Sequence, residues 1–104
     1  MKIIKIAQQL RLKDLCSVKT NFSDADFWIQ RKGSKETVGT PTKSFSPEHI
    51  GIRVESTDVL DPQYLFYMFM HLHSSGKLRY LSKGSLNLQH ITTYDIGDIA
   101  LNGQ

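Results

Sequence analysis

The chain of 104 residues has a single cysteine, Cys16, which excludes an internal disulfide framework and a cysteine-based zinc knuckle. No apolar run approaches the ~20 residues that a helix needs to cross a bilayer. The opening MKIIKIAQQLRLKDL breaks its apolar cluster with Lys5, Gln8 and Gln9, so it lacks the core of a signal peptide. Patterns of the GxSxG, HExxH, Walker and dinucleotide-binding kinds are missing as well. The spacing of Gly33 and Gly39 carries no lysine where a phosphate loop requires one. There is no internal repeat and no low-complexity tract. A soluble cytoplasmic protein that is not an enzyme and uses no cofactor is the expectation.

Metal ligation finds little support. His71 and His73 stand two apart, which turns them in different directions on a helix and makes a poor chelating pair. His49 and His90 have no carboxylate pattern around them, and Asp24-x-Asp26 alone is too little for a metal site. Cys16 has no nucleophile signature and reads as a small buried hydrophobe.

With 39% apolar residues in 104, residues 1–104 suit one small domain with a single core. Thirteen Lys and Arg against ten Asp and Glu give a charge of +3, which permits an anionic partner without requiring one. The placement of the charges must decide.

Ile3, Ile4 and Ile6 among lysines suit an edge strand or a helical lead-in. Leu12, Leu15 and Cys16 fall at helical spacing, which predicts a short helix over 12–18. Phe27-Trp28-Ile29 reads as a strand, and Arg31-Lys32-Gly33-Ser34-Lys35 as a loop. Ile50, Ile52 and Val54 alternate with His49, Gly51, Arg53 and Glu55, the period of a strand with one wet face. A helix then starts at Asp61 as N-cap and Pro62 as first residue, and Gly76 closes it. Its apolar residues run almost all round, so it is expected to be covered on more than one side, inside the core or at a subunit contact. Lys77 to Leu81 suit a second short helix and Lys83-Gly84-Ser85 a turn. Thr92-x-x-Asp95 has the form of a capping box. The expected fold class is α+β, with short strands packed on one dominant buried helix.

Two basic segments carry the functional signal. Arg31, Lys32 and Lys35 surround Gly33-Ser34, and Lys77, Arg79 and Lys83 precede Gly84-Ser85. Each joins cations to a small turn whose backbone N–H groups can approach a phosphate. Asn87, Gln89 and His90 follow, with side chains able to reach base edges. Solvated loops are the competing reading of both segments.

The order Leu60-Asp61-Pro62-Gln63-Tyr64-Leu65-Phe66-Tyr67, Gly76-Lys77-Leu78, Lys83-Gly84-Ser85 and His90-Ile91-Thr92 with Asp95-Ile96 and Ile99 resembles a target recognition domain of type I restriction–modification DNA-specificity subunits. Leu12-Lys13-Asp14-Leu15-Cys16 resembles the opening of that module, and Phe27-Trp28-Ile29 with Arg31-Lys32-Gly33-Ser34 its central stretch. The resemblance runs from about Leu12 to Leu101. It implies sequence-specific binding of double-stranded DNA without catalysis, and a stand-alone module that binds in this way is the expectation. The contacts it implies are Arg31, Lys32, Gly33, Ser34, Lys35, Lys83, Gly84, Ser85, Asn87 and Gln89. The helix from Pro62 to Leu72 is then scaffold, with Tyr64, Leu65, Met68, Phe69 and Leu72 in the core. A homodimer is expected, since one domain of this size touches few base pairs; Phe66 or Met70 would supply the contact. The alternative is a protein-interaction module or inhibitor, of the kind a phage or mobile element would direct at a restriction or other DNA-processing complex.

Overall fold

The computed structural model describes residues 10–85 and 87–101; the expectation for Ile3, Ile4 and Ile6 lies outside them. In chain order these residues form α1 (Leu12–Leu15), β1 (Cys16–Thr20), β2 (Phe27–Ile29), β3 (Lys32–Gly33), β4 (Pro41–Thr42) and β5 (Ile50–Val54). Then come α2 (Pro62–Ser74), a 3₁₀ turn (Leu78–Leu81), β6 (Lys83–Ser85), β7 (Leu88–His90) and α3 (Thr93–Gly97). The strands make two antiparallel sheets, one of order β1-β5-β2-β4 and a smaller one of order β3-β7-β6. The fold class is α+β.

The strand period of Ile50, Ile52 and Val54 builds the centre of the larger sheet. These three and Phe27 and Ile29 of β2 are buried against Leu65, Phe69 and Leu72 of α2. The other face of β5 is wet only in part. Arg53 and Glu55 are exposed, but Gly51 is buried beneath Phe22, Ala25 and Trp28, whose indole Nε1 donates to the Phe22 carbonyl at 2.8 Å. A side chain at Gly51 would meet Phe22 Cβ at 2.8 Å and Ala25 Cβ at 2.9 Å, so the covering loop demands glycine.

The helix expected over 12–18 is one turn long. From Cys16 the chain is extended and pairs with β5 from Cys16↔Val54 to Thr20↔Ile50. Pairing along the whole of β5 outweighs the weak local preference of a four-residue helix.

The bounds of α2 follow the capping chemistry. Asp61 accepts from the Tyr64 backbone N–H at 2.9 Å, and Pro62 occupies the first turn. At the other end Gly76, at φ +83°, donates to the His73 carbonyl at 3.1 Å, while Lys77 donates to Leu72 at 3.0 Å. This pair of bonds is a Schellman ending, which the left-handed glycine makes possible. The helix is not the fully buried element the sequence suggests. Leu65, Phe69 and Leu72 form one buried stripe, Phe66 and Met68 are half-buried, and Tyr64, Tyr67 and Met70 are exposed. Tyr64 therefore belongs to the surface and not to the core.

The smaller sheet sits on a second part of the core. The hairpin from β2 to β4 is closed by Gln30 N–H to Thr40 O and Gly39 N–H to Gln30 O. Its far end continues as β3. Val38, Leu78 and Ile91, all buried, fix this end to the body. α3 starts with the capping box expected at Thr92 and Asp95, each side chain accepting from the other's backbone N–H at 3.1 Å.

Candidate nucleic-acid interface

The two basic segments expected as a loop and a turn are the outer strands of one sheet. β3 supplies Lys32-Gly33, β6 supplies Lys83-Gly84-Ser85, and β7 runs between them. Extended backbone is allowed at Lys83–Ser85 because Gly84 sits at φ +129°, with its missing Cβ directed at the Leu88 carbonyl oxygen. Gln89 stitches the hairpin. Its Nε2 donates to the Ser85 carbonyl at 2.6 Å and the Gly84 carbonyl at 3.2 Å, and its Oε1 accepts from the Ser82 hydroxyl at 2.7 Å.

Register then aligns the charges. Lys32 and Lys83 both oppose His90, so the three side chains form one row across one face of the sheet. Leu88, which is exposed, and Ser85 belong to the same face. Three strands at roughly 4.8 Å spacing place the outer pair about 10 Å apart. The Lys83 ammonium lies 3.8 Å from Asp95 Oδ1, and Lys32 has no carboxylate at ion-pair distance among the described residues. Burial pushes the Asp95 carboxyl up, but its two hydrogen bonds with Thr92 and the charges of Lys83 and His90 prevail and hold it below the usual carboxylate value.

The opposite face of the sheet borders a cleft of about 370 Å³ lined by Lys35, Arg79, Tyr80, Ser82 and Gln89. Lys35 and Arg79 also line an adjoining cleft of about 200 Å³ with Glu36, His73, Ser74 and Gly76. These two cations form no ion pair among the described residues, and the Tyr80 side chain is 89% exposed.

The sequence-derived residues divide accordingly. Lys32, Gly33, Lys83, Gly84, Ser85 and Gln89 share the small sheet. Asn87 is exposed at the tip of the β6–β7 hairpin. Lys35 is exposed in the turn after β3. Ser34 is engaged within its own turn, where its backbone N–H donates to Thr37 Oγ1 at 2.9 Å and its hydroxyl lies 3.1 Å from the same oxygen. Arg31 stands apart. Its guanidinium binds Glu48 through Nη2 to Oε1 and Nε to the backbone carbonyl, both at 2.9 Å. Gln89 spends both donors inside the hairpin and so cannot offer the amide pair that reads adenine. Tyr80 was not legible as a site residue. The only signal was an aromatic beside Arg79 in an acid-free stretch from Gly76 to His90.

Among the described residues no three His, Cys, Asp or Glu side chains gather as metal ligands, and no helix is long and apolar enough to cross a membrane. His73 is engaged internally, its Nε2 donating to the Glu36 carbonyl at 2.9 Å. Comparison with family models, with curated proteins and with solved structures finds no match to this chain.

Proposed function

We propose that the chain is a non-catalytic module that binds double-stranded DNA, as the resemblance to target recognition domains implies, and that it does so through its three-stranded sheet. The observation that carries this reading is the row Lys32, His90, Lys83 across three strands. The outer strand axes, about 10 Å apart, set Lys32 and Lys83 at a separation that suits the phosphates flanking a major groove about 12 Å wide, with exposed side chains such as Asn87 toward base edges. Single modules bury roughly 600–1,000 Å² on DNA, so useful specificity calls for a second copy. The exposed Tyr64, Tyr67 and Met70 on the outer side of α2 offer the contact for it.

Fluorescence anisotropy on random duplex DNA, titrated with salt, tests the proposal. Log affinity is expected to fall linearly with log salt, at about 0.9 per phosphate contact. Absence of binding at low salt would overturn it.

One feature favours a second reading, a protein-interaction module aimed at a DNA-processing complex. Beside α2 a groove of about 400 Å³ is lined by Tyr64, Tyr67, Met68, His71, Leu72 and Lys77, a mixed surface of the kind that protein partners use. Partners retained on the tagged protein after nuclease treatment would support that reading over DNA binding.

A further inference from the structure

Tyr80 is the most exposed large side chain among the described hydrophobic and aromatic residues, and it borders a cleft with two cations that form no ion pair among the described residues. A buried role does not account for such a ring. Its neighbours have the chemistry of a nucleotide: Lys35 and Arg79 for phosphate oxygens, the ring for a base. The volume of about 370 Å³ falls in the roughly 300–1,000 Å³ span of small-ligand sites. Gln89, fixed by Ser82 and the hairpin carbonyls, gives the cleft a rigid polar wall with one acceptor position left on Oε1. Because Lys35 and Arg79 also border the adjoining cleft, a phosphodiester chain can cross between the two while its charge stays on the same pair of cations. Among the described residues that line the two clefts, Glu36 is the carboxylate that opposes it.

A paired base cannot use this arrangement, since its two faces are already stacked in the helix. We infer that the cleft holds an unpaired nucleotide of DNA, its base stacked on Tyr80 and its flanking phosphates on Lys35 and Arg79. This rests on the DNA-binding reading for its partner, and it assigns to the second face of the sheet a task that the groove-facing row does not perform.

The test is anisotropy with three labelled probes: a paired duplex, the same duplex with one bulged thymidine, and a single-stranded oligothymidine. The unpaired probes are expected to bind more tightly than the paired one. Tyr80→Ala should weaken them by roughly 5- to 100-fold and leave the paired duplex unchanged, and Tyr80→Phe should restore the loss. Because Tyr80 is exposed, these variants keep the fold, which the melting temperature verifies. Equal binding of all three probes, or an equal effect of Tyr80→Ala on all three, overturns the inference while duplex binding itself stands. Binding of the unpaired probes with none of the duplex supports the inference and overturns the duplex reading. Binding of none overturns both.

Discussion

Lys32 and Lys83, far apart in the chain, oppose the same residue, His90, from the two outer strands of the small sheet. The two cations are not equivalent. Lys83 lies 3.8 Å from an Asp95 oxygen, and Lys32 has no such partner among the described residues. A phosphate must compete with Asp95 for Lys83 and has no competitor at Lys32. Lys32→Ala should therefore weaken duplex binding more than Lys83→Ala does, and should lower the salt slope by about 0.9. Lys32→Ala should melt with the parent protein, because Lys32 is exposed and has no ion-pair partner among the described residues, and Lys83→Ala should melt slightly lower, because it gives up the Asp95 pair. Anisotropy at several salt concentrations checks the ranking, and the reverse order would contradict it.

Arg31 behaves differently from its neighbour. The guanidinium bridges β2 and β3 to the loop before β5 through two 2.9 Å bonds to Glu48, and the Ile91 N–H donates to the Arg31 carbonyl at 2.9 Å. Arg31→Ala is expected to cost about 0.5–1 kcal/mol, since Glu48 is mostly exposed and water screens the pair. The salt slope of DNA binding should stay as in the parent. Urea unfolding and the anisotropy series measure the two effects separately.

The contrast shows which parts of the fold local sequence encodes. The caps of α2 and α3 were legible because each depends on residues within one turn: Asp61 with Tyr64, Thr92 with Asp95, Gly76 with His73. The strand at Ile50–Val54 was legible from its period. The small sheet was not, because β3 and β7 are short and lie far apart, and nothing near Lys32 signals that His90 will stand beside it. The exposure of Tyr64 was hidden for a related reason. An apolar residue on a helix looks the same whether the face beside it is covered by a sheet or left open. Arg31 and Lys32 are adjacent, yet Glu48 decides between them.

Gly51 is a packing position. A methyl group there would press on Phe22, Ala25 and Trp28, with Cδ1 of Trp28 at 3.1 Å. Gly51→Ala should destabilise by about 1–3 kcal/mol, and Gly51→Val by more. The indole of Trp28 lies against the new atoms, so its fluorescence should shift toward that of a wetter environment. Unchanged melting and emission would show that the Phe22–Ala25 loop yields without cost.

Cys16 is buried in the core at the start of β1. Burial pushes its thiol up to about 12, and the charges of Asp26 and Glu55 add to the effect. Almost no thiolate exists at pH 8. A chromogenic disulfide reagent should leave the native protein unlabelled and react with one equivalent in denaturant. Rapid labelling of the native protein would show that this end of the sheet opens readily.

Asp95 links the small sheet to acid stability. Its carboxylate receives the Thr92 N–H at 3.1 Å and faces Lys83 and His90, which together outweigh burial and hold its pKa below the ordinary value of 3.8. A carboxyl whose folded pKa is depressed contributes stability that is fully present above the unfolded pKa and is lost as pH falls through the folded one. The contribution should therefore be complete at neutral pH and decline from about pH 4 downward. Asp95→Asn keeps an oxygen able to accept from Thr92 but removes the charge, so its unfolding free energy should fall less steeply over that acid range. Lys83→Ala removes one of the charges that depress the pKa and should flatten the same curve in part. Urea titrations between neutral pH and pH 3 compare the three proteins. Identical acid slopes would mean that Asp95 is solvated in the folded chain, with the Thr92 cap and the Lys83 pair broken in solution.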